Sequence, residues 1–294
     1  MSADAAAMPA PAPLPAQVAG PRWADLQKRV LSALVLGPLM LAAVWFGAWP
    51  FKIMIAAAAA VLAWEWVHLR GLMTRRWPGM VVPGVLLLAS LAAALELPLL
   101  ALAALAAGFV LAVIAAPSPG QVGSGRRWLA AGVPYIGIGC IALIGLRGDG
   151  VAGLGNVLFL VAIVWASDIG AYMAGRLLGG PKLAPRVSPS KTWAGAAGGL
   201  LAASLAGALV AEAIAPAPLA GVVLVACALG VASQAGDLLE SWIKRRCQVK
   251  DSSHLIPGHG GLLDRVDGLL AAAPVAALLA LALGAGVPVW QAGL

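Results

Sequence analysis

Nine stretches of this chain are too apolar to rest in water. They are Leu31–Ala48, Ile53–Val67, Met80–Leu95, Leu99–Ala116, Trp128–Leu146, Leu154–Ala174, Trp193–Ala215, Leu219–Leu239 and Val266–Gly284. A helix that crosses the hydrocarbon core of a bilayer needs about 20 predominantly apolar residues. Most of the nine approach that length; the second and third are short. In lipid the backbone must satisfy its own hydrogen bonds, which leaves helices or closed barrels. Continuous apolar runs without alternation select helices. The expected fold is therefore all-α, a polytopic integral membrane bundle of about nine transmembrane helices. Hydrophobic residues make up 62% of the 294, and mean hydropathy is +0.94. A soluble domain is nearer 45–50% apolar, so a soluble globular enzyme is excluded.

Charge gives an independent check on the span count. Cytoplasmic loops of membrane proteins collect Lys and Arg. With nine spans and the N-terminus inside, only Lys52 and Arg147 of the 19 basic residues fall outside. The C-terminus is then outside, and the polar loops with their chemistry face the cytoplasm. The expected location is the cell inner (plasma) membrane. The net charge of +7 follows from this topology and is not read as a nucleic-acid footprint. Residues 1–22 form an Ala/Pro-rich tail, expected to be disordered, with no basic segment and apolar core of a signal peptide. A single membrane domain is expected over residues 23–294, with the motifs in 154–284. Cys140, Cys227 and Cys247 show no pairing or metal spacing and are expected as small buried hydrophobes.

Against this apolar background four aspartates stand out. Asp168 lies near the inner end of span six, Asp237 near the inner end of span eight, and Asp264 and Asp267 at the start of span nine. Ionised groups at membrane depth are costly, so they tend to face the bundle interior and mark a site. A single aspartate could simply be solvated at headgroup level; four on one side of the membrane are harder to explain so. Asp237, Ser241 and Lys244 share a helical face, as do Asp264 and Asp267, and Asp168 and Tyr172. Oxygen-rich clusters of this kind suit a hard cation such as Mg²⁺. Around them lie Lys182, Arg186, Lys191, Lys244, Arg245, Lys250 and Arg265. Juxtamembrane basic residues often meet anionic lipid, but interleaved with aspartates and flexible glycine they read as phosphate and metal handling. Glu65 in span two is a weaker candidate. No phosphate-binding P-loop is present, GRLLGG lacks a surrounding strand–helix unit, His254 and His259 lack zinc partners, and His68 reads as interfacial.

The stretch SWIKRRCQVKDSSHLIPGHGGLLDRVD resembles the signature of phosphatidate cytidylyltransferases (CDP-diacylglycerol synthases). The matching positions are Ser241, Lys244, Arg245, Lys250, Asp251, Pro257, His259, Gly260, Gly261, Asp264, Arg265 and Asp267. Trp165, Asp168, Ala171, Tyr172, Gly175 and the run SPSKTWAGAAGG from Ser188 to Gly199 resemble the same family. Two positions depart from it: Ala194 stands where Glu or Gln is usual, and Gly268 where Ser is frequent.

The resemblance implies transfer of CMP from CTP to phosphatidate with Mg²⁺, a second cation being allowed. The implied partners are CTP, phosphatidate and membrane lipid, with a homodimer as an allowed assembly. It makes Asp237, Asp264 and Asp267 the expected metal ligands, with Asp168 a fourth. Lys244, Arg245 and Arg265 are expected to hold phosphates, with Lys244 in the catalytic set. Ser188, Lys191 and Thr192 are expected to line the nucleotide or lipid-phosphate site, joined by Ser241 and Lys250. His259 is expected to contact phosphate in a glycine turn and not to act as a base. Two alternatives stand beside this reading. One is a related CTP-dependent lipid enzyme, such as a polyprenol kinase or a CDP-archaeol-type synthase. The other is a cation-coupled transporter, which should show inverted repeats and broken mid-membrane helices; neither is visible here.

Overall fold

A computed structural model describes residues 22–69, 72–74, 77–115, 125–258, 260–284 and 286–291, with backbone alone for 22–29, 33 and 125–127. The expected tail lies outside these residues except for Arg22, as does His259. Among the described residues nine α-helices follow one another: α1 (Arg22–Phe46), α2 (Ala48–His68), α3 (Val81–Ala94), α4 (Pro98–Ala115), α5 (Gly125–Arg147), α6 (Val151–Leu178), α7 (Trp193–Ile214), α8 (Leu219–Arg246) and α9 (Leu263–Leu283). Each overlies one of the nine apolar stretches. Seven are long and apolar enough to cross a membrane. The exceptions are α1, whose apolar part is Val30–Phe46, and α3. With 14 residues, α3 is about 21 Å long, short of the roughly 30 Å hydrocarbon core.

Several helices exceed the apolar runs that announce them. The second begins at Ala48 and not Ile53, because Lys52 is accommodated within it: its ammonium reaches the Ala94 carbonyl at the end of α3 at 2.8 Å. The sixth and eighth run on to Leu178 and Arg246, so Arg176, Lys244 and Arg245 are helical. Arg147, expected in an outer loop, is buried, and its Nε donates to Val44 O at 2.6 Å, holding the last turn of α1. Between α6 and α7 lies a two-stranded antiparallel hairpin, β1 (Lys182–Ala184) and β2 (Ser188–Thr192), which pairs Lys182 with Thr192 and Ala184 with Ser188.

Two features set how closely the helices approach. Between α6 and α7 the seam is nearly side-chain free. A Cβ on Gly198 would come within 2.2 Å of the Ala174 Cβ, and one on Gly170 within 2.5 Å of the Ala202 Cβ. Small residues of this kind let helix backbones touch. Between α2 and α5 the contact is aromatic: Trp66 and Trp128 stack at 4.3 Å, and each indole N–H donates to the other's carbonyl, at 2.9 and 3.1 Å. This pair lies at the end of the bundle where α2, α6 and α8 finish and α5, α7 and α9 begin. The opposite end carries the short 3-10 helix Val289–Gln291, whose buried Trp290 donates to Ala215 O at 2.9 Å.

Candidate active site

The hairpin end of the bundle gathers the charges. Thr192 closes β2 and caps α7, its hydroxyl oxygen accepting the Gly195 N–H at 3.0 Å, as N-cap residues do. The cap turns the chain so that Ser190, Lys191 and Thr192 face α6 and α8 across a cavity of about 420 Å³, within the range of small-molecule sites. Asp168, Tyr172 and Arg176, spaced by four on one face of α6, form the opposite wall, and Gln234 and Asp237 of α8 complete it. Lys191 Nζ sits 2.5 Å from Asp237 Oδ2. Arg176 Nη1 donates to the Tyr172 hydroxyl at 2.7 Å. Gln234 ties three helices together by donating to Ser167 Oγ at 3.2 Å and Ala196 O at 3.1 Å.

A second cluster lies behind the first, between α8 and α9. Lys244 Nζ is 2.5 Å from Glu240 Oε2 and 2.8 Å from Asp264 Oδ1. Asp264 also accepts the backbone N–H of Ser252 at 3.1 and 3.0 Å and that of Gly261 at 2.9 Å. Gly260, with φ +80°, brings the loop past this carboxylate; a Cβ there would lie 2.8 Å from Asp264 Oδ2. So Asp237 and Lys244, expected on one helical face, divide between the two clusters.

The remaining expected residues fall at varied places. Asp267 accepts the Gly268 N–H at 2.7 Å and lies close enough to Asp237 and Asp168 for their charges to interact. Arg265 is close enough to attract Asp168. Arg245 Nε donates to Val187 O at 3.4 Å, joining α8 to the hairpin turn. Lys250 is exposed on the α8–α9 loop. Ser188 and Ser241 lie outside the cavity lining. Glu65 lies beneath the loop, away from the cavity. Sequence reasoning missed Glu240, Arg176 and Gln234. The first two carried a signal: Glu240 precedes Lys244 by four residues, and Arg176 follows Tyr172 by four.

Among the described residues no group of three or more His, Cys, Asp or Glu converges to hold a metal ion. Mg²⁺ does not require one. It commonly takes one or two carboxylates together with water and substrate phosphates. Asp168 and Asp237 offer such a pair in one cavity, where the Lys191 ammonium meets Asp237. Asp264, the other expected metal ligand, meets the Lys244 ammonium and the Ser252 and Gly261 N–H groups with its two oxygens.

The pattern of the Cytidylyltransferase family matches residues 27–283. The chain belongs to that family. The matched region thus runs from within α1 to the end of α9 and takes in the hairpin and every site residue described. A phosphatidate cytidylyltransferase of Brucella suis is 43% identical over 258 residues, which cover 85% of this chain and 91% of the relative. One from Pseudomonas aeruginosa is 41% identical, covering 90% and 100%, and one from Bacillus subtilis is 34% identical, covering 85% and 96%.

Proposed function

We propose that this cytidylyltransferase is a phosphatidate cytidylyltransferase that converts phosphatidate and CTP to CDP-diacylglycerol and pyrophosphate. The observation that carries the reading is the cavity that gathers Asp168, Asp237, Lys191 and Arg176 in its lining. A phosphate oxygen of phosphatidate attacks the α-phosphorus of CTP. The new P–O bond forms as the bond from that phosphorus to the bridging oxygen breaks, and pyrophosphate leaves with the electron pair. A phosphate monoester has a second pKa of about 6, so the nucleophile is already anionic near neutral pH and no general base is needed.

The barrier is mainly repulsion between two anions, together with charge growing on the leaving group. Preorganised cations answer both. Lys191 and Arg176, on facing walls, bind and orient the phosphates. Arg265, Arg245 and Lys250 supply further positive charge at the rim. Ser190 and the Thr192 hydroxyl offer hydrogen bonds to phosphate oxygens. Asp168 and Asp237, with Asp267, would hold Mg²⁺, which neutralises phosphate charge when bound. Lys244 and Asp264 set the framework from behind.

The deciding experiment uses purified protein in detergent with phosphatidate and CTP labelled at the α- or the γ-phosphate. Label in the lipid from α-labelled CTP alone supports the reading. Lipid labelled from γ-labelled CTP would establish a lipid kinase instead. In the membrane, nine spans with an inside N-terminus put the cavity at the cytoplasmic face of the inner membrane, a placement favoured by the asymmetry of Lys and Arg. A cysteine placed near Leu294 in a variant lacking Cys140, Cys227 and Cys247 should be labelled from the outer side. Labelling only from the cytoplasm removes this topology.

A further inference from the structure

Glu65 on α2 is fully buried, at 0% exposure. A buried carboxylate is costly unless it is well compensated. The compensation here comes from one short piece of chain far away in sequence. Glu65 Oε1 accepts the Ser253 hydroxyl at 2.6 Å and the Leu262 N–H at 2.8 Å. Its Oε2 accepts the Leu263 N–H at 2.7 Å and the Ser252 hydroxyl at 3.4 Å.

Leu262 is the N-cap of α9 and Leu263 its first residue. Backbone N–H groups at a helix start lack partners within the helix, and negative charge is favoured there. Glu65 therefore does for α9 what a capping side chain does, but from another helix. The fit leaves no space: a Cβ on Gly261 would come within 1.9 Å of Ser252 Oγ and 2.6 Å of Glu65 Oε1. Ser252 links this carboxylate to the second one, since its N–H donates to Asp264, which holds Lys244.

We propose that Glu65 is a positioning residue that clamps the α8–α9 loop and the first turn of α9. In doing so it fixes Asp264, Lys244 and Asp267 relative to the cavity. The proposal rests on the phosphatidate cytidylyltransferase reading for its effect on rate. The clamp itself stands on the hydrogen bonds alone. Gln in place of Glu65 keeps the size but turns an NH₂ toward donors, leaving at least one N–H unpaired. Asp keeps two acceptors but withdraws them by one methylene.

The test compares E65Q, E65D and S253A with wild type as full-length protein in detergent. One readout, taken without substrate, is the rate of trypsin cleavage after Lys250; the other is kcat. Misplacement of a site by about 1 Å can cost about 10²-fold, so E65Q is expected to lose about that much kcat. Its cleavage should rise about tenfold or more, because proteolysis follows the population of the opened loop. E65D should recover part of both, and S253A should shift both in the same direction by less. Cleavage by E65Q at the wild-type rate overturns the clamp, whatever its activity. If E65Q does not fold, unchanged cleavage in S253A overturns it instead. Wild-type protein that makes no CDP-diacylglycerol would remove the functional reading while leaving the cleavage result to judge the clamp.

Discussion

Two charged clusters share α8, and they are finished in opposite ways. On the cavity side Lys191 and Asp237 keep 24% and 36% of their side-chain exposure and meet in direct contact at the cavity wall. Behind them Glu240 and Asp264 keep 1% and 4%, and Lys244 lies between them. The first pair can exchange partners at lower cost, because both side chains line the open cavity and a ligand there can take over their contacts. The second cannot, because taking one partner away strands a buried charge. Similar residues three to seven positions apart on one helix thus serve different ends: one cluster is free to bind, the other holds the geometry.

The largest effect should come from the open side. Asp237→Asn keeps the shape of the cavity and removes a charge, and loss of a preorganised electrostatic group costs about 10²–10³ in rate. Turnover should fall by at least that much while melting temperature stays near wild type. An Asp237→Asn enzyme with substantial activity at saturating Mg²⁺ would take this residue out of the site.

The next effect should separate the clusters directly. Lys191→Met should lose about 10²-fold in rate with little change in stability, by the same electrostatic argument. Lys244→Met should lose stability first, because breaking a buried pair costs about 3–5 kcal/mol. Thermal melting beside initial rates decides it: if Lys244→Met melts like wild type and Lys191→Met does not, the comparison is reversed.

Much of this division was hidden from the sequence, for physical reasons. The helices were legible because a membrane span is a local property: a long apolar run has few other ways to satisfy its backbone. Their ends were less so, since Lys52 and Arg176 extend helices past the apolar stretch. The charged residues were legible as a set, being conspicuous in so apolar a chain. Their pairing was not, because the partners are remote: Lys191 on β2 finds Asp237 on α8, and Glu65 meets Leu262 and Leu263 from the other half of the chain. The β-hairpin was also unseen. Its strands are three and five residues long, too short for an alternating pattern to register.

The smallest effect is expected at His259. General acid–base catalysis typically contributes about 10²–10⁴-fold, so a histidine acting as base would be costly to replace. If phosphatidate arrives as an anion, His259→Gln should stay within about tenfold of wild type. Its pH–rate profile from pH 6 to 9 should follow the second ionisation of the lipid phosphate, near pH 6. A thousandfold loss in His259→Gln would replace the electrostatic mechanism with a histidine-based one.

The seam between α6 and α7 has a consequence for how this protein can vary. At Gly170 and Gly198 there is no side chain to trim, so substitution can only add volume. Added volume in a packed contact forces the neighbours apart, and the two helices that would separate carry opposite walls of the cavity. Tolerance along this stripe is therefore one-sided. The lipid-facing positions a quarter turn away can drift among apolar residues in either direction, while the seam acts as a ratchet that admits no enlargement without widening the site.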